Sequence, residues 1–217
     1  IQAHANGNEA NRWIVAALAK MQLQKKATQP VLIIHHTVVD ESLSADVAKL
    51  RRGDYEVDGK KVPALDVRVT HLIGHVAYWG AAFDQMLSPG AGANIDPIGW
   101  DRKYGVPWSM HSDSMVTPSH PLWFIQQAVT RQTWAYPDFT RSYVLGPQHR
   151  APVQEALRAV TIEPATQHGL QKWVGSLEPG KVADFVVLGA NPLTVAPDTI
   201  GAIPVVNTYL GGKSTAK

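Results

Sequence analysis

"PVLIIHH", residues 30–36, is an unbroken apolar and β-branched run that ends on two histidines. A strand with one wet face alternates polar with apolar residues. This one does not, so it is expected to be covered on both faces, as the strands of a parallel sheet are. The flanking segments agree. Before it, "NEANRWIVAALAKMQLQKK" (8–26) places Ile14, Leu18 and Met21 on one helical face, with Asn8 as the expected N-cap. After it, a shorter helix is expected from about Ser42, burying Leu43, Val47 and Leu50. "ALDVRVTHLI" (64–73) and "GVPWSMHSD" (105–113) read as the next two strands, each followed by a loop and a helical pattern. The order is therefore strand, helix, strand, helix, strand, long loop, strand, helix. Such alternation implies an α/β fold with right-handed crossovers, either a doubly wound sheet or part of a (β/α) barrel.

Past residue 150 the pattern changes. Pro152 opens a helix with Val153, Leu157 and Val160 on one face, and a second short helical piece runs to about His168. Glu178-Pro179-Gly180-Lys181 then suits a type II turn leading into "VADFVVL", and "VVNTYL" meets Gly211-Gly212, a pair suited to a tight hairpin. Two strands alone are marginal in water, so this tail is expected to complete a β-structure whose other strands lie elsewhere.

Composition narrows the function classes. With 45% hydrophobic and 18% charged residues the 217-residue chain is globular, and its net charge of +2 comes from scattered lysines and arginines, which argues against a nucleic-acid partner. No window approaches the roughly 18 consecutive apolar residues of a membrane span, so a soluble chain of unassigned compartment is expected. There is no cysteine, which removes disulfides and thiolate metal sites and leaves histidine and carboxylate as the good metal ligands.

Those residue types recur where apolar strands stop: His4 after "IQA", His35 and His36 after "VLII", and Asp113 after "VPWSMHS". In a barrel the C-terminal strand ends share one rim, where residues distant in sequence can meet around a metal, and an acid beside a metal-bound water can take its proton. Each has a plainer reading beside this one. A strand-end histidine can be a hydrogen-bonded structural residue, Asp113 can cap the helix or loop after it, and His75 can be a loop histidine packed on Tyr78 and Trp79. Tyr78, Trp79, Trp100 and Trp108 suit either an apolar pocket wall or the core.

The segments "AHANGNEANRWIVAAL", "IIHHTVVDESL", "GHVAYWG", "MHSDSMVTPSHPLWFIQQAVTR", "EALRAVTIEPA" and "GSLEPGKVADFVVL" together resemble the amidohydrolase superfamily, in its family 3 branch of N-substituted formamide deformylase-like enzymes. The resemblance implies the C-terminal half of a (β/α)8 TIM-type barrel over residues 1–172, carrying its strands five to eight, and the C-terminal strands of a small composite β-sandwich over 173–217. It further implies that His4, His35 and Asp113 are ligands of one or two divalent ions, zinc by ligand type, that Asp113 is the general base, and that His75 and Trp79 face substrate. His35 is favoured over His36 because Ile33-Ile34-His35-His36 aligns with the family's Ile-Glu-His-Ala. The chain departs from the family in having Gly7-Asn8 for Gly-Asp, and in holding no counterpart of the first-strand His-x-His pair.

The expected function is metal-dependent hydrolysis of non-peptide carbon–nitrogen bonds in a small amide or formamide. An ester or lactone hydrolase on the same site, and a catalytically incomplete binding or assembly fragment, are the alternatives. The expected partner is the missing N-terminal half of the enzyme or a second copy of the chain.

Overall fold

The computed structural model describes residues 1–215. Strand β1 (Gln2–Ala5) leads into α1 (Asn8–Gln24), β2 (Val31–His35) into α2 (Glu41–Arg52), and a small hairpin, β3 (Glu56–Val57) and β4 (Lys60–Lys61), precedes β5 (Val67–His71). That hairpin turns on Asp58-Gly59, both at positive φ, the pairing that a tight two-residue turn demands. Three short helices come next, α3 (Gly74–Tyr78), α4 (Gly80–Met86) and α5 (Ile98–Tyr104), then β6 (Trp108–Met110), α6 (Pro121–Thr130), α7 (Val153–Ala159) and α8 (Ile162–Gln167).

Strands β1, β2, β5 and β6 lie side by side in that order, all parallel, with Ala3, Ile33, Val69 and Trp108 in one register row. The parallel order of strands expected around "PVLIIHH" is thus observed, but the cover expected on both faces is unequal. Val31, Ile33, Val67 and Val69 are buried in a core with Val15 and Leu18 of α1 and Leu43, Val47 and Leu50 of α2. The opposite face of the sheet is less covered. Gln2, Leu32, Ile34, Thr70 and Ser109 line a cavity of about 350 Å³ there, which reaches His111 and Asp113 at the C-terminal end of the strands.

Several expectations need correction. Asn8 is the first helical residue rather than the N-cap, which is Gly7 and makes no side-chain cap; the Asn8 side chain accepts from Glu9 N–H instead. The expected long loop between β5 and β6 holds α3, α4 and α5, whose runs of five to seven residues are too short to show a helical period. Strand β6 is three residues long, and Asp113 lies past its end. Backbone pairing to β5 ends with His111 N–H donating to the His71 carbonyl at 3.0 Å, and the chain turns at Asp113 (φ +48), whose carbonyl accepts from Val116 N–H.

The tail forms a three-stranded antiparallel sheet, β7 (Phe185–Leu188), β8 (Val205–Leu210) and β9 (Lys213–Ser214). Gly180 (φ +92) occupies the expected turn, and Gly211 and Gly212, both at positive φ, join β8 to β9. The rings of Phe185 and Tyr209, paired across β7 and β8, stack 4.4 Å apart. The tail is anchored through the 3₁₀ turn Pro197–Ala202, which packs on α6: Ile200 is wholly buried and Gly201 N–H donates to Gln126 Oε1 at 2.8 Å.

Candidate metal-binding active site

The C-terminal ends of the four parallel strands carry a concentration of histidine. His4 is in β1, His35 closes β2 and is followed by His36, His71 closes β5, and His111 follows β6. His35 (φ +77) and His36 (φ +49) are consecutive non-glycine residues in the left-handed region, a sparsely populated conformation that only surrounding structure holds in place. The turn sends the two side chains to different places.

His35 goes toward the rim. Its ring lies edge-on to His4 with centroids 4.4 Å apart, its Nδ1 is 3.0 Å from His111 Nε2, and its Nε2 is 3.9 Å from Asp113 Oδ2. His111 Nδ1 is in turn 3.0 Å from Thr70 Oγ1, so the sheet itself fixes both rings. His36 goes down into the protein, where Nδ1 meets Asn11 Oδ1 at 2.8 Å and Nε2 stands 3.8 Å from Asp101 Oδ1. Asn11 also donates to the carbonyls of Ala5 and Gly7, tying α1 to the end of β1.

Electrostatics separates the rim from the layer beneath. Burial, then the neighbouring His4, lower the pKa of His35, and burial with the adjacent His35 pushes His111 down to about 4. Both are therefore neutral imidazoles at neutral pH, the form that ligates a metal. Beneath them, burial would lower His71 as well, but the hydrogen bond to Asp101 and the charges of Asp101 and Asp96 outweigh it and raise His71 to about 9. His71 Nε2 is 2.8 Å from Asp101 Oδ2.

The structure thus places His35 beside His4 on one side and Asp113 on the other and sets His36 apart from them. In kind, two imidazoles and a carboxylate suit a divalent metal, zinc included. Among the described residues, no three histidine or carboxylate groups already stand gathered around a single point. His75 sits in α3, buried, with its ring 6.2 Å from that of His35 and edge-on to Phe83 at 5.9 Å. It packs on Phe83 rather than on Tyr78 and Trp79. Trp79 ends α3 half exposed, without a ring contact to the histidines. The other aromatics belong to the core: Trp108 is buried beneath the sheet, Trp100 packs on His149, and Tyr78 on Trp134 and Trp123.

Helix α3 and the loop of Asp113 are in close contact. A Cβ at Gly74 would stand 2.4 Å from Thr117 Cγ2, and Thr117 donates through Oγ1 to the carbonyl of Ser112 at 2.8 Å. Sequence reasoning missed His71, His111, Asp96 and Asp101. His71 ends "VRVTH" as His35 ends "VLIIH", so the same strand-end signal marks it; Asp96 and Asp101 lie where short helices and turns left no period to read.

The sequence profile of the amidohydrolase family matches residues 1–216. The chain is 26% identical over 210 residues to an N-substituted formamide deformylase of Arthrobacter pascens, an alignment covering 96% of this chain and 35% of that protein. It superposes on an uncharacterized metal-dependent hydrolase from Pyrococcus horikoshii with a TM-score of 0.68 at 18% identity, covering 90% of this chain and 35% of the other. It also superposes on an adenosine deaminase from Xanthomonas campestris with bound zinc, with a TM-score of 0.55 at 15% identity, covering 99% and 45% of the two chains. The chain spans about a third of the length of the formamide deformylase. No helix among its described residues is long and apolar enough to cross a membrane.

Proposed function

This chain belongs to the amidohydrolase family, and we propose that residues 1–172 supply the C-terminal half of a (β/α)8 barrel and residues 173–217 the closing strands of a β-sandwich domain, in a metal-dependent hydrolase of carbon–nitrogen bonds in small amides or formamides. The observation that supports this reading is that His35, at the C-terminal end of a parallel strand, stands beside both His4 and Asp113. His4, His35 and Asp113 would hold the metal, with further ligands from the N-terminal half of the enzyme or a second copy. A bound divalent ion, zinc by ligand type, supplies a Lewis acid and a water of lowered pKa.

The protein groups do the rest. The Asp113 side chain is about half exposed, open to both water and substrate. It takes the proton from the attacking water and delivers it to the leaving nitrogen. The contacts from His111 and Thr70 keep the ring of His35 from turning. His75 and Trp79, on the helix next to the Asp113 loop, face the substrate.

The test is elemental analysis of the purified protein with intact-mass measurement of every polypeptide present, then a panel of amides, formamides, esters and lactones. Metal bound together with turnover of amides or formamides is expected. Turnover confined to esters would move the reading to the ester or lactone alternative. Absence of metal and of turnover, when a second polypeptide carrying a His-x-His segment is present, would overturn it.

A further inference from the structure

Behind the rim lies a buried polar chain of which the proposed hydrolysis uses only the last member, His75. It runs from Asn11 through His36, Asp101, His71 and Asp96 to His75, and every member except His75 is essentially sealed from solvent. Its pivot is Asp96. This residue is wholly buried in the left-handed region (φ +46), its N–H donates to the Thr37 carbonyl at 2.9 Å, and its carbonyl accepts from Arg131 Nη1 at 3.1 Å. Its carboxylate is the unusual part. Neither oxygen has a hydrogen-bond partner, although both are sealed from solvent, a cost that structures rarely carry without a reason.

The groups facing those oxygens supply the reason. His71 Nδ1 stands 3.7 Å from Oδ1 and His75 Nδ1 stands 3.7 Å from Oδ2, one imidazole to each oxygen. Arg131, also wholly buried, spends its donors on the carbonyls of Leu145, Ile95 and Asp96, so it offsets the charge of Asp96 without bonding its carboxylate. His71 has its other nitrogen on Asp101 and serves as the second buried cation. Two carboxylates then face two cations. His36 Nε2 and His71 Nδ1 lack a hydrogen bond but face Asp101 and Asp96, whereas His75 Nε2 has neither a hydrogen bond nor a facing carboxylate among the described residues.

We propose that Asp96 is a positioning residue that holds His75 as the Nδ1-protonated tautomer, leaving Nε2 bare as an acceptor directed to the substrate side. The competing partner is the hydroxyl of Thr37, 3.4 Å from the same Nδ1. That hydroxyl donates to Asn6 Oδ1 at 3.1 Å, so it too can only accept from Nδ1–H and favours the same tautomer, as a neutral acceptor where Asp96 is a charged one. The role of His75 toward substrate rests on the function proposed above; the hold of Asp96 on its ring does not.

The experiment is long-range proton–nitrogen correlation NMR of the full chain with nitrogen-15 histidine, with His75 assigned by its loss in His75→Gln. The parent should show His75 with Nδ1 protonated and Nε2 resonating as a bare nitrogen. Asp96→Asn, which tolerates the left-handed backbone, should lose that tautomer, and Thr37→Val should keep it. A parent with Nε2 protonated, a tautomer unchanged in Asp96→Asn, or one lost in Thr37→Val would each overturn the proposal. Should Asp96→Asn fail to fold, the parent and Thr37→Val spectra still decide. Because none of these readouts needs turnover, an intact tautomer without hydrolysis would count against the hydrolase reading alone.

Discussion

Ile33 and Val69 of the parallel sheet are wholly buried, whereas Val205, Val206 and Leu210 of the tail sheet, equally apolar, stand more than half exposed. The polar residues of the two regions differ in the opposite sense. The parallel sheet seals six histidine and carboxylate side chains beneath or beside its strand ends, while the polar groups of the tail sheet lie at the surface. The difference shows that side-chain chemistry alone does not set burial; the number of layers does. Helices α1 and α2 cover one face of the parallel sheet, and no second layer covers the tail sheet among the described residues. A region with its own cover can hold misfits such as His35-His36 and Asp96, because packing elsewhere offsets them.

The comparison can be broken most sharply at the rim. Asp113→Asn should lower hydrolysis by about 10²–10⁴-fold, the range of general-base catalysis, with the melting temperature unchanged because the side chain is half exposed. Near-normal turnover would remove Asp113 as base. Next in size comes the core. Ile33→Ala should cost about 2–5 kcal/mol in denaturant unfolding, as truncation of a buried isoleucine does. A cost below about 1 kcal/mol would mean that the sheet is less well packed than it looks.

The paired histidines give a smaller and more discriminating effect. His35→Ala should lose metal by elemental analysis. His36→Ala should retain metal but cost about 1–3 kcal/mol, because it strands Asn11 and Asp101 in the interior. The opposite pattern would show that the register is wrong by one residue.

A pH series separates the regions again. His71 is raised from its ordinary 6.5 to about 9, so the folded chain holds a proton that the unfolded chain releases; that contribution is complete below pH 6.5 and lost as pH rises to about 9. His36 and His149 are pushed by burial to about 4 and about 3, so below pH 6.5 the unfolded chain takes protons that the folded one refuses. The melting temperature should peak near pH 6.5 and fall on both sides; a profile rising steadily through that pH would show that the buried pairs are not formed. The smallest effect belongs to the tail, where Val206→Thr should change stability by no more than about 0.5 kcal/mol.

The sequence was most informative where the structure is periodic and covered. The parallel strands, α1, α2, the Gly211-Gly212 turn and the strand-end placement of His4 and His35 were all legible from apolar spacing and turn chemistry. Asp113 was legible as a residue but not as a position, because nothing in "VPWSMHSD" marks where an edge strand loses its pairing partner. Asp96 and Arg131 left no trace in the sequence. Their roles come from burial of charge among loops and short helices, and burial at such places depends on the whole fold rather than on neighbours in the chain.

At Gly74 the chain saves a single carbon, and that saving lets the backbone of α3 press on Thr117. The helix that carries His75 and the loop that carries Asp113 therefore mesh like two teeth of one gear. The space between the two side chains is thus set by a contact that includes neither of them, so a methyl group added at position 74 would act as a wedge, widening the mouth of the site while leaving every chemical group in it intact.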